Sequence, residues 1–140
     1  MTSFIDCYSG RLESLLSWQE FDDFWQDLSN NNNTGWYIYK LGDDVPEQVA
    51  NSSKLQQFLL DSSALLHQEH HNDYCGIVYV NDKAKPQLIK IYHPQNLGVS
   101  CGFSENPPLP HWVLSKLKPS EITPSKSHNS HWWNKFHIGT

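Results

Sequence analysis

His67, Glu69, His70, His71, Asp73, Cys75 and His93 stand near the middle of the chain, each with a side chain able to hold a metal or move a proton. Imidazole nitrogens and a thiolate are good zinc ligands, and a cysteine with two or three histidines suits Zn²⁺, with iron the alternative. The expected metal set is His70, His71, Cys75 and His93. Cys75 beside His93 would also make a thiolate–imidazole pair, the arrangement that activates a thiol as a nucleophile.

These groups meet only if the backbone brings them together. The runs Tyr74–Asn81 and Gln87–His93 are rich in β-branched and aromatic residues, and the turn-forming stretch Asp82–Pro86 separates them, which predicts a hairpin. If Asn81 pairs with Gln87, Cys75 stands opposite His93, and cross-strand partners have Cβ atoms about 4.5–5.5 Å apart. His70 and His71 reach the same end of the sheet from the helix before it. A slip of one residue turns Cys75 to the other face. The same residues have a plainer reading. Histidines in a last helical turn interact favourably with the helix dipole, and a sheet cysteine often serves as a small buried hydrophobe. Paired Cys-x-x-Cys elements, the stronger zinc signature, are absent.

A third run, Gly98–Ser104, completes the expected antiparallel meander. If Tyr92 pairs with Val99, Cys101 lies opposite Lys90, whose ammonium would favour the thiolate. Alternatively, Lys90 spreads its stem over the sheet. Gly98 and Gly102 allow a bulge or a close approach.

The elements that must position these groups follow from local signals. Ser17 and Glu20 have capping-box spacing, with Leu16 and Phe21 at the hydrophobic-staple positions. Trp18, Phe21, Trp25 and Leu28 then share one helical face, with Phe24 beside them. Gly35–Leu41 alternates as a strand. Asp44, Pro46 and Glu47 predict a helix start, interrupted at Asn51-Ser52-Ser53. Ser53 with Gln56 restarts it, and Leu55, Phe58, Leu59, Ser62, Leu65 and Leu66 form a stripe to about His67. Pro110 and Pro119 bracket a short helix expected over His111–Lys118. Residues 1–16 read two ways at once: Phe4, Ile5 and Tyr8 as a strand, Leu12, Leu15 and Leu16 as a helical turn.

The expected fold is α+β: a four-stranded antiparallel sheet with one long helix packed on a face. An N-terminal amphipathic helix and a short C-terminal helix complete it. The element order is similar to that of cystatin-like folds, a likeness that implies no function. Residues 1–119 are expected to form a single domain, and 120–140 a linker and an aromatic tail.

Composition narrows the function classes. A net charge of −5 argues against nucleic acid or an anionic membrane as partner. No run is long enough to cross a bilayer, and residues 1–16 lack the continuous apolar core of a secretory signal. Cys7, Cys75 and Cys101 are odd in number and not closely paired, which predicts reduced thiols in a cytoplasmic protein. The chain has six each of Trp, Tyr and Phe, and Trp132, Trp133 and Phe136 make the tail an expected docking segment. Pro107–Pro110 carries the PxxP spacing but reads as a rigid surface loop.

The expected function is a small protein-interaction or assembly module without catalytic activity or cofactor, contacting a protein partner or itself. The alternatives are a metal-binding or thiol-dependent protein built on Cys75 and His93 with His70 and His71, and a small-molecule pocket between helix and sheet.

Overall fold

The computed structural model describes residues 3–69, 75, 77–92 and 109–122. The first element reverses the strand-then-helix reading of the N-terminus. Helix α1 spans Phe4–Tyr8 and β1 spans Glu13–Ser14. The reason is local. The Ser3 hydroxyl accepts from the Asp6 N–H at 3.1 Å, and the Asp6 carboxylate accepts from the Ser3 N–H at 3.4 Å. This reciprocal cap satisfies donors that a helix start leaves free. Leu15, read as helical, instead donates its N–H to the Val78 carbonyl at 2.9 Å, in line with a strand.

Helix α2, Trp18–Asn31, starts where expected: the Ser17 hydroxyl accepts from the Glu20 N–H. Phe21, Trp25 and Leu28 are buried along one face. The hydrophobic staple does not form. Glu20 reaches past Ser17 to take the Leu16 N–H at 3.0 Å, and Leu16 is 61 % exposed while Leu15 takes the interior position.

Strand β2, Tyr37–Lys40, follows. The helix expected from Asp44 is absent, and residues 41–50 carry no helical turn. Ala50 ties this stretch back to the strand, its N–H donating to the Trp36 carbonyl at 2.9 Å. Helix α3, Ser52–Glu69, has one start instead of an interruption, because Asn51 Oδ1 caps the Lys54 N–H at 2.8 Å in place of the expected Ser53–Gln56 box. Leu55, Leu59, Ser62 and Leu66 are buried; Phe58 and Leu65 are half-buried.

Strands β3 (Val78–Val80), β4 (Leu88–Ile91) and β5 (Trp112–Ser115) complete a five-stranded antiparallel sheet in the order β1-β3-β4-β5-β2. Among the described residues the sheet has five strands rather than the expected four, and their order does not confirm the cystatin-like one. The largest change is β5, expected as a short helix. It lies between β4 and β2 and is paired on both sides. Val113 and Leu114 are both fully buried, because the sheet is covered on both faces. Such a central strand reads as a continuous apolar run, which periodicity cannot distinguish from a helical turn.

β4 is paired with β3 on one side and with β5 on the other. Lys90 stands opposite Tyr79 and Val113, not Cys101. Gly98–Ser104 itself lies outside the described residues.

α2 and α3 run antiparallel on one face of the sheet: Trp25 Nε1 donates to Ser62 Oγ at 3.1 Å and Gln56 Nε2 to the Ser29 carbonyl at 3.0 Å. Their apolar stripes close over Val78, Val80, Ile89, Ile91 and Leu114. The opposite face packs α1 and the chain beyond β5 against Tyr39, Leu88 and Val113. Ile122 is buried there and its N–H reaches the Tyr39 hydroxyl at 3.4 Å.

Candidate functional site

The hairpin forms, one residue out of the expected register. Val78 pairs with Ile91 and Val80 with Ile89. Asn81 therefore faces Leu88, donating its N–H to that carbonyl at 3.1 Å. Its side-chain Oδ1 accepts from the N–H groups of Gln87 and Leu88 at 2.8 and 3.0 Å. An asparagine that caps the turn with its side chain moves the pairing by one, which spacing alone does not reveal.

Cys75 precedes β3 instead of lying in it. Its N–H donates to the Leu16 carbonyl at 2.7 Å, and the residue is only 1 % exposed, inside the helix-side core. Burial pushes its thiol up from the ordinary value, with Ile77 and Val78 backbone bonds opposing. A thiol so placed is protonated at neutral pH and packs as a small hydrophobe. His70, His71 and His93 lie outside the described residues, as do Trp132, Trp133 and Phe136 of the tail. Among the described residues no group of three His, Cys, Asp or Glu side chains is gathered to hold a metal ion. Phe21, Trp25, Trp36 and Leu114 are buried together in the helix-side core.

What the structure does open is a surface groove of about 560 Å³ at the start of α2. The half-buried Phe24 gives it an apolar wall over the fully buried Leu15; Ser17, Gln19, Glu20, Asp23 and Lys83 line the rest. Two local devices build it. The Ser17 cap fixes the angle at which the chain enters α2, and the hairpin turn lifts Lys83 to meet Glu20. Lys83 Nζ lies 2.8 Å from Glu20 Oε2 while Oε1 holds the Leu16 N–H at 3.0 Å. The Lys83 hydrogen bond, then the Leu16 N–H, hold the Glu20 carboxyl below its ordinary value. Gln19 Nε2 donates to Asp23 Oδ1 at 2.9 Å. The polar rim is therefore pre-organised. Leu16 projects into solvent beside it. Sequence spacing identified Glu20 as a cap, not as one side of a groove, and Lys83 belongs to no periodic pattern that would have singled it out.

Among the described residues no helix is long and apolar enough to cross a membrane. Compared with known protein families, with curated proteins and with solved structures, the chain matches none significantly.

Proposed function

We propose that this chain is a protein-interaction module that receives its partner at the groove beginning α2. The observation that supports this reading is the pairing of that open, apolar-walled groove with the exposed side chain of Leu16. An anchor residue with a surrounding polar rim is the usual anatomy of a protein contact. The chemistry favours a partner segment that offers one apolar side chain and a cation. Phe24 takes the first, and Asp23 at the rim attracts the second.

The test is quantitative capture of one partner by matched variants. The partner retained by the intact protein should be lost with Leu16→Asp and with Phe24→Ser, and kept with Leu60→Asp, which alters an exposed leucine on α3. Thermal melting of each variant controls for folding. Equal capture by Leu16→Asp and the intact protein would overturn the groove reading. So would equal loss with Leu60→Asp. Removal of residues 124–140 tests separately whether the aromatic tail supplies the binding energy.

A further inference from the structure

Charge is divided sharply along this chain. All fifteen Asp and Glu residues precede residue 122, with eight of the ten Lys and Arg, so that part carries −7 with histidines neutral. Residues 123–140 hold Lys126 and Lys135 and no carboxylate side chain, which makes +2. They also hold Trp132, Trp133 and Phe136. This segment lies outside the described residues. Within them, α2 carries Glu20, Asp22, Asp23 and Asp27 and no Lys or Arg. Glu20 is met by Lys83 at 2.8 Å and Asp22 by His67 at 2.7 Å. Asp23, on the rim of the groove, is bonded to the neutral Gln19 amide and makes no ion pair among the described residues.

We propose that this chain's own C-terminal segment occupies the groove at the start of α2, with an aromatic ring from residues 132–136 on Phe24 and Lys135 at Asp23. The inference rests on the groove reading above and names what fills the groove before an outside partner arrives. The groove asks for one apolar side chain and a cation. The tail offers both within five residues: Lys135 is two positions from Trp133 and next to Phe136. In an extended segment residues two apart share one side, so Trp133 and Lys135 match Phe24 and Asp23, which are adjacent in α2 and both line the groove. Leu16, 61 % exposed beside it, gives a second ring an apolar surface to cover.

The segment is long enough to dock within one molecule. Ile122, where the described residues end, is buried against Tyr39 of β2 on the far face of the sheet. From β2 to β1 the sheet order sets four strand spacings, roughly 19 Å, and crossing from one layer to the next adds roughly 10 Å. The eleven residues from Ile122 to Trp133 span up to roughly 36–40 Å. Such a tether holds the tail at an effective concentration on the order of 1 mM. With an intrinsic dissociation constant on the order of 0.1 mM, the tail then covers the groove about nine-tenths of the time. An outside ligand of the groove therefore binds the intact chain about tenfold more weakly than a chain whose tail does not dock.

The probe is a fluorescein-labelled peptide of residues 129–140, titrated by anisotropy into full-length protein. The intact chain is compared with a tail variant, Trp132→Ser, Trp133→Ser and Phe136→Ser together, and with that variant carrying Asp23→Lys as well. Asp23 is exposed, so the last change leaves the core intact, and thermal melting checks the fold of each. The tail variant should bind the peptide about tenfold more tightly than the intact chain. Asp23→Lys should abolish that binding, and about 0.5 M salt should weaken it by screening the Lys135 contact. Equal affinity of the intact chain and the tail variant overturns the proposal, and so does binding that ignores Asp23→Lys. The groove reading survives that failure if capture of an outside partner still depends on Phe24; if it does not, both fall. Sedimentation of the intact chain should give a monomer. A dimer dissociated by Trp133→Ser would place the tail on a second copy and overturn docking within one molecule.

Discussion

Replacing Lys90 by Met should stabilise the protein at neutral pH, although it deletes a cation–π contact. Met keeps most of the aliphatic stem and removes the charge. The amine falls from 10.5 to about 8 on folding. At about 1.36 kcal/mol per pH unit, a fully sealed group would cost the folded state about 3.4 kcal/mol below pH 8. Lys90 is only half-buried, so solvent screens part of that cost. The Tyr8 ring returns about 0.5–2 kcal/mol that Met does not recover. The expected net gain is about 1–2 kcal/mol at pH 7. The pH dependence is more diagnostic than the gain. A lysine whose folded value is depressed leaves the unfolded chain holding more protons between about 8 and 10.5, so its penalty fades as pH rises through that window. The advantage of Lys90→Met over the wild type should therefore shrink between pH 7 and pH 10. Taking the difference cancels the opposite trend of Cys7 and Cys75, whose raised thiols cost stability above their ordinary value of 9. Urea unfolding followed by tryptophan fluorescence at pH 7 and 9.5 measures both quantities. A loss of stability at pH 7, or a difference that ignores pH, would refute the reasoning and mean that the Tyr8 contact outweighs burial.

Further outcomes follow from the helix-side core. Ser62→Ala removes the hydroxyl that accepts from Trp25 Nε1 and donates to the Phe58 carbonyl at 2.7 Å; stranding the buried indole should cost about 1–3 kcal/mol in urea unfolding. Phe58 is half-buried against Trp112, ring centroids 5.6 Å apart, so Phe58→Ala should cost about 1.5–3 kcal/mol, below the 3–5 of a fully buried ring. Cys75 should resist iodoacetamide at pH 8 in the folded protein and react at the rate of urea-induced unfolding; alkylation in the native state at the speed of a free thiol would contradict its burial.

Some of this molecule was legible in its residues. The Ser17 cap and the Trp18–Leu28 stripe are local, set by spacings of three and four, and α2 follows them. The long stripe after residue 53 is equally local, and α3 departs from it only in taking Asn51 as its cap. The hairpin was readable as a hairpin because Asp82–Pro86 can do little but turn. Its register was not, since an Asn81 side chain replacing one rung of the ladder leaves no periodic trace. Tertiary structure decided the rest. Trp112–Ser115 is too short for its apolar content to state a period, and only burial between β4 and β2 makes it a strand. Cys75 illustrates the reversal most plainly. Its residue type suggested a ligand or nucleophile, but its N–H joins the Leu16 backbone and the core closes over the thiol. The setting of Lys90 was invisible for the same reason. The ring that faces its ammonium comes from α1, at the far end of the chain, and a contact between such distant residues follows from how whole elements pack, not from any local pattern.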